Sequence, residues 1–149
     1  MNINREEVDP MVHLICGQNG SGKTQKLINH ANEELLKSHG LIVFIDKSDK
    51  YRRSINNQIK FINARDFKLN NIDLFYGFIC GILSGNYDIN RVYIDNLKEI
   101  INLNSNDELM SFIKSVNALS VEFDTHFYIT VTTDDDSPSE FSELIFSED

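Results

Sequence analysis

The sequence predicts an α/β fold, a single domain in which a parallel β-sheet is sandwiched by helices. Three observations carry that prediction. Short apolar, β-branched runs alternate with segments of helical periodicity, as strands alternate with crossover helices. The first such run passes directly into a glycine-rich stretch, Gly17-Gln18-Asn19-Gly20-Ser21-Gly22, which leads into a helical pattern. The chain has 149 residues, 41% hydrophobic and 25% charged, which suits one domain with an apolar core and excludes a disordered or fibrous chain. The domain is expected to occupy 1–149, with its core at about 11–147.

Met11-Val12-His13-Leu14-Ile15-Cys16 is an apolar run ending at glycine, as a buried strand would. From Lys23 to Ser38, Leu27, Ile28, Ala31, Leu35 and Leu36 recur at helical spacing, and Gly40 follows as a stop. Leu41-Ile42-Val43-Phe44-Ile45 is continuous and β-branched, hence a strand covered on both faces. Ile59-Lys60-Phe61-Ile62 reads as another short strand. Ile72 to Leu83 is apolar nearly all round, with Gly77 and Gly81 one turn apart, which suits a closely packed helix. Arg91-Val92-Tyr93-Ile94-Asp95 is a strand that ends in a carboxylate. Ser105 and Glu108 form a capping-box pattern ahead of Leu109, Phe112, Ile113, Val116 and Leu119 on one helix face. His126 to Thr132 reads as a strand, and Leu144-Ile145-Phe146 as a last one.

Chemistry concentrates in Gly17-Gln18-Asn19-Gly20-Ser21-Gly22-Lys23-Thr24, which fits G-x-x-x-x-G-K-[ST] without mismatch. Each fixed position has a physical reason. Glycines let the backbone wrap a phosphate chain with its N–H groups pointing inward, and the following helix turns its positive end to the same anion. Lys23 brings a mobile charge to the β- and γ-phosphates, the Thr24 hydroxyl is placed to hold Mg²⁺, and Gln25 continues the segment into the helix. A second group on the Mg²⁺ side is needed at the end of a later apolar strand, and Asp95 fits.

With these pieces the chain resembles the P-loop NTPases, in the branch where another strand separates the two motifs. The resemblance implies a five-stranded parallel core of order 5-1-4-3-2, with ATP and Mg²⁺ as cofactors. Many relatives place a Glu directly after the Asp to activate water, whereas Asn96 stands here. The chain is also similar to the RecA-like ATPases, whose acid lies at the end of the strand after the first helix. That position is Asp46, with Asp49 nearby. The same resemblance implies a γ-phosphate sensor at the polar end of the 126–132 strand, at Thr132 or Thr133. Lys23, Asp46, Asp95 and Thr132 are thus the candidate catalytic residues, and Thr24 and Asp95 the candidate metal ligands. Arg52, Arg53 and Arg91 read more simply as surface arginines than as charge-stabilising fingers. Asp46-Lys47-Ser48-Asp49 lacks the leading Asn of a guanine reader and comes too early, which favours ATP. His13 and His30 read as structural rather than purine-contacting.

Three functions follow from this pattern. One is an ATPase or ATP-driven switch that works with a macromolecular partner, other subunits or a second copy of the chain. Another is a nucleotide-binding adaptor with little turnover, which Asn96 favours. The third is a small-molecule kinase, since Gly17 through Lys47 resembles thymidine kinases. That family, however, has a Glu after the Asp95-like position and a cysteine-ligated zinc lasso, and both are missing here.

Charge placement narrows the partners. The net charge is −9, but residues 1–133 hold fourteen bases against sixteen acids, a net of −2. The segment 134–149 holds seven acids and no base, and reads as a solvated loop and charged edge strand. Residues 47–68 carry seven bases against Asp49 and Asp66, a local +5 that reads as a solvated face and loop or as a strip for an anionic partner such as single-stranded nucleic acid. Cys16 and Cys80 lie 64 residues apart with no CxxC or Cys/His cluster, so a reducing cytoplasm is expected. The first seven residues lack the order of a secretion signal and no run of 18 apolar residues occurs, so no membrane insertion is expected.

Overall fold

The computed structural model describes residues 11–37, 39–134 and 140–144, the last segment by its backbone alone. In chain order it contains β1 (Val12–Gly17), α1 (Lys23–Lys37), β2 (Leu41–Asp46), β3 (Lys60–Asn63), α2 (Ile72–Gly85), β4 (Ile89–Ile94), α3 (Leu97–Ile100), α4 (Asn106–Phe123), β5 (His126–Thr132) and β6 (Glu140–Leu144). Single turns of 3₁₀-helix at Arg52–Ser54 and Ala64–Phe67 flank β3.

The strands form one sheet of order β3-β2-β4-β5-β1-β6. The first five are parallel, and β6 runs antiparallel to β1. The expected order 5-1-4-3-2 is recovered when β3 is set aside as an addition at the edge. Two features depart from expectation. The strand in the fifth position is antiparallel, and it already begins at Glu140, with Leu144 the only described residue of the expected 144–146. Ile145 and Phe146 lie outside the described residues, as does most of the acidic segment. Antiparallel addition needs no crossover helix, so a short connection after β5 is enough to return the chain to the β1 edge.

Helix caps follow the local sequence. The Ser105 hydroxyl accepts the Glu108 backbone N–H at 3.2 Å, and the Asn71 side chain accepts that of Leu74 at 2.9 Å. Glu108 does not close the expected reciprocal box; its carboxylate accepts the Asn104 N–H at 3.5 Å instead. Among the described residues no helix is long and apolar enough to cross a membrane.

Two apolar layers cover the sheet. On one face α1 places Leu27, Ile28 and Ala31 against Ile15, Ile42, Phe44, Tyr93 and Tyr128. On the other, α2 and α4 place Phe75, Ile79, Phe112 and Val116 against Val43, Ile45, Val92, Ile94 and Ile129. The α1 layer contains an aromatic row that crosses all five parallel strands in register. Ring centroids are 6.2 Å apart for Phe61–Phe44, 6.0 Å for Phe44–Tyr93, 4.7 Å for Tyr93–Tyr128 and 4.5 Å for Tyr128–His13. His30 joins it from α1, its Nδ1 lying 2.8 Å from the Tyr93 hydroxyl. His13 and His30 are therefore parts of this layer. Period-two alternation then decides what comes next on the same face: Asp46 two residues after Phe44, Asp95 after Tyr93, Thr130 after Tyr128.

Phe75 is fully buried on the far face and its ring lies 5.9 Å from that of Phe112. Replacing Phe75 with Ala leaves a cavity between α2 and α4 and is expected to cost about 3–5 kcal/mol. Urea unfolding followed by circular dichroism would register this as a lower midpoint with an unchanged slope.

Candidate functional site

The glycine-rich segment joins β1 to α1 at the C-terminal edge of the sheet. Gly20 and Gly22 have φ of 79° and 90°, a left-handed backbone that residues with a Cβ adopt only under strain. These two positions turn the loop back on itself, where the Ser21 N–H donates to the Gln18 carbonyl at 3.1 Å. Lys23, the first residue of α1, is only 5% exposed, and its ammonium donates to the Gln18 carbonyl at 2.7 Å. Burial lowers the Lys23 pKa, while the nearby Asp95 carboxylate opposes that shift. Gln25 points along the helix and donates to Asn29 at 2.8 Å, and the Gln18 side chain donates to the Asp134 carbonyl at 3.4 Å.

Asp95 follows β4 and is completely buried. Its Oδ2 accepts from the Thr24 hydroxyl and from the Asn96 amide, both at 2.9 Å, and its Oδ1 accepts from the Thr130 hydroxyl at 2.6 Å. Thr130 in turn accepts the Asn96 backbone N–H at 2.7 Å. Asn96 is left-handed, at φ 60° and ψ 52°, a conformation that asparagine tolerates better than most residues. Burial raises the Asp95 pKa, and the Thr130 and Thr24 hydroxyls with the Lys23 charge pull it back.

Asp46 ends β2 next to Asp95 across the β2–β4 pairing and is 1% exposed. One carboxylate oxygen accepts the Lys47 backbone N–H at 2.7 Å, while Oδ2 is buried and makes no hydrogen bond. Burial first, and then the Asp95 charge, push its pKa up to about 6; the Lys47 and Asn96 groups moderate the shift. Lys47 itself forms an ion pair with Glu99.

These residues meet at an open cleft of about 420 Å³, whose walls include Lys23, Thr24, Asp46, Lys50, Tyr51 and Asn96. The structure thus brings Asn19, Gly20, Gly22, Lys23, Thr24, Gln25 and Asp46 to one cleft, with Asp95 bonded to Thr24 directly behind it. Thr132 is placed differently. It pairs in register with Gly17, and the Thr133 N–H donates to the Gly17 carbonyl at 2.8 Å, so it stands beside the root of the loop. Arg91 pairs with Glu34 at 3.2 Å and Arg52 with Asp49 at 3.4 Å. Sequence reasoning missed Thr130, and it did not bring Lys50 and Tyr51 to this cleft. The signal for Thr130 was a threonine two residues after an aromatic on the strand beside Asp95.

No family model matches the chain, and no curated protein matches it by sequence. Among solved structures, the fold is similar to that of the flagellar accessory protein FlaH from Methanocaldococcus jannaschii. The TM-score is 0.50, with 17% identity, over 83% of this chain and 61% of that one. The likeness shows the fold alone, and this chain spans about three fifths of FlaH. The class defined is an α/β fold, a parallel sheet flanked by helices, compatible with that of the P-loop NTPases.

The Asp46 shift carries a stability prediction. Its folded pKa of about 6 lies above the ordinary 3.8, so the folded state holds the proton more tightly. The ionised side chain therefore costs stability above pH 6, and that cost fades as pH falls from about 6 to below 3.8. Asp46→Asn is expected to raise stability by about 3 kcal/mol at neutral pH, with the gain vanishing toward pH 3. Urea denaturation of both proteins across pH would measure it; an equal gain at every pH would contradict the shift.

Proposed function

We propose that this chain binds ATP with Mg²⁺ at residues 17–24 and acts as an ATPase or ATP-driven switch for a macromolecular partner. The observation that carries the reading is the 2.9 Å contact between Thr24 of the loop and Asp95 of the neighbouring strand. That contact joins two groups 71 residues apart that a phosphate and metal site would need side by side. The donor set fits Mg²⁺, since a hydroxyl and a carboxylate are hard oxygen ligands and leave most positions to water and phosphate. Thr24 and Asp95 would hold the ion, which when bound neutralises charge on the phosphate oxygens.

The remaining work falls to the chain's own groups. Backbone N–H groups of the loop and the first turn of α1 face the phosphates. Lys23 exchanges its bond to the Gln18 carbonyl for the β- and γ-phosphate oxygens. Asn96 and Thr130 hold the Asp95 carboxylate in one orientation while Thr24 changes partner. Asp46 has a buried, unbonded oxygen beside the cleft and a pKa near neutrality, which suits a general base. It takes a proton from water as the water oxygen attacks the γ-phosphorus. The bond from that phosphorus to the bridging oxygen breaks, which releases ADP and inorganic phosphate. Thr132 stands beside the root of the loop, paired with Gly17 and outside the cleft walls, so a part for it as γ-phosphate sensor would act through the loop.

A second reading has its own support. Asn96 stands where many relatives place a Glu, and it is engaged with Asp95, so binding without turnover is the alternative.

Phosphate release with Mg²⁺ and ATP, measured beside equilibrium nucleotide binding, separates these readings. Lys23→Ala is expected to weaken ATP binding at least about tenfold and abolish turnover. Asp46→Asn is expected to keep binding but lower turnover by about 10²–10⁴-fold. Wild-type turnover should fall as pH drops through about 6, when Asp46 takes up its proton. Tight binding with no turnover would favour the adaptor, and transfer only to an added acceptor would favour a kinase.

A further inference from the structure

We propose that a second cleft, between the 52–54 turn and the start of β3, binds single-stranded nucleic acid next to the nucleotide site. The cleft has a volume of about 630 Å³, and its walls include Arg52, Arg53, Asn57, Gln58, Lys60 and Phe61. It is lined by three cations and no carboxylate. Its floor is apolar, for Ile55, Ile59 and Phe61 are buried in the α1 layer. The remaining walls stand at the open β3 edge of the sheet.

The Arg52 guanidinium lies over the Phe61 ring, 5.2 Å from its centroid, and is tethered to Asp49 at 3.4 Å. A planar cation held over an aromatic ring, on a side chain that is mostly exposed, is a group on which a base can stack. Arg53 and Lys60 are exposed and supply charge for phosphodiesters, which positions a strand without reading its sequence. The exposed amides of Asn57 and Gln58 add donors and acceptors at the rim. The rim is held in shape from below. Asn32 of α1 donates to the Ser54 carbonyl at 3.0 Å and accepts the Asn56 N–H at 2.9 Å, and the Asn56 side chain accepts the Gln58 N–H at 2.9 Å.

The planar platform favours nucleic acid over an acidic peptide, whose carboxylates have no face to stack. It favours a single strand over a duplex, whose bases are already stacked on one another. The net charge of −9 does not forbid this, because charges more than about 8–10 Å away are largely screened at physiological salt. The cleft is joined to the first. Lys50 and Tyr51 line the nucleotide cleft, Arg52 is the next residue in the chain, and the Lys50 ammonium sits 5.1 Å from the Tyr51 ring centroid. Phosphates that draw Lys50 inward would shift the segment carrying Arg52 and Arg53. This dependence on nucleotide rests on the proposed function, whereas the cleft itself does not.

The test is fluorescence anisotropy of a short labelled oligothymidylate with the full chain, over a salt series, with and without Mg²⁺ and a non-hydrolysable ATP analogue. Three expected results support the proposal. Arg53→Glu with Lys60→Glu lowers affinity at least tenfold and flattens the log–log salt slope by about 0.7 per lost phosphate contact. Arg52→Lys, which keeps the charge but removes the plane, weakens the oligonucleotide while leaving inorganic polyphosphate unchanged. The analogue changes oligonucleotide affinity. The substituted positions are exposed, and circular dichroism would verify folding. Three results would overturn it: no binding, binding unchanged in the double variant, or tighter capture of a peptide of residues 134–149 than of the oligonucleotide. ATP binding measured on the same variants keeps the two readings apart. Its absence in the wild type beside intact oligonucleotide binding would remove the proposed function and leave this cleft standing.

Discussion

Two carboxylates buried side by side, Asp46 and Asp95, impose the constraint to which the rest of the site answers. Like charges at the ends of adjacent strands repel, and removal from water penalises both. The fold treats them unequally. Asp95 receives three side-chain hydrogen bonds, from Thr24, Asn96 and Thr130, with the Lys23 ammonium nearby. Asp46 receives the Lys47 backbone N–H, with the Asn96 amide near enough to lower its pKa, and its Oδ2 has no hydrogen-bond partner among the described residues. Environments that divide two acids in this way can also divide their roles: burial raises both, but Asp95 is fixed by hydrogen bonds that favour its charged form, while Asp46 is pushed up to about 6.

The sheet makes that arrangement rigid. On the α1 face, Phe44, Tyr93 and Tyr128 pack in register as part of the aromatic row, and two residues further along stand Asp46, Asp95 and Thr130. The polar groups thus sit on a floor of stacked rings at the C-terminal ends of parallel strands. In open α/β sheets this is where ligands bind. The loop of residues 17–22 closes over the same edge because Gly20 and Gly22 can adopt positive φ.

Much of this was legible in the sequence because its signals are local. The phosphate-loop pattern occupies consecutive residues, and Asp46 and Asp95 each end an apolar run that reads as a strand. The three long helices announced themselves by apolar pattern and by the Ser105 cap, whereas the short α3 carried no such signal. What stayed hidden depends on lateral neighbours. Thr130 is an ordinary β-former until β5 is known to lie beside Asp95, and Asn96 reads as a missing base until its amide is seen on the Asp95 carboxylate. The start of the last strand was missed because Leu144-Ile145-Phe146 is more continuously apolar than Glu140-Phe141-Ser142-Glu143-Leu144. The latter alternates with period two, as an edge strand covered on one face would. The basic character of 47–68 was plain from composition, but the approach of Arg52 to the Phe61 ring was not, since the loop between them had no readable conformation.

The central claim is that one loop gathers phosphate, metal and base chemistry around the Asp46–Asp95 pair. A structure with Mg²⁺ and a non-hydrolysable ATP analogue tests it most directly. The γ-phosphate is expected against Lys23, the ion between Thr24 and Asp95, and a water between Asp46 Oδ2 and the γ-phosphorus. Phosphates seated away from residues 17–24, or an Asp46 carboxylate turned from the γ-phosphate with no water between them, would contradict it.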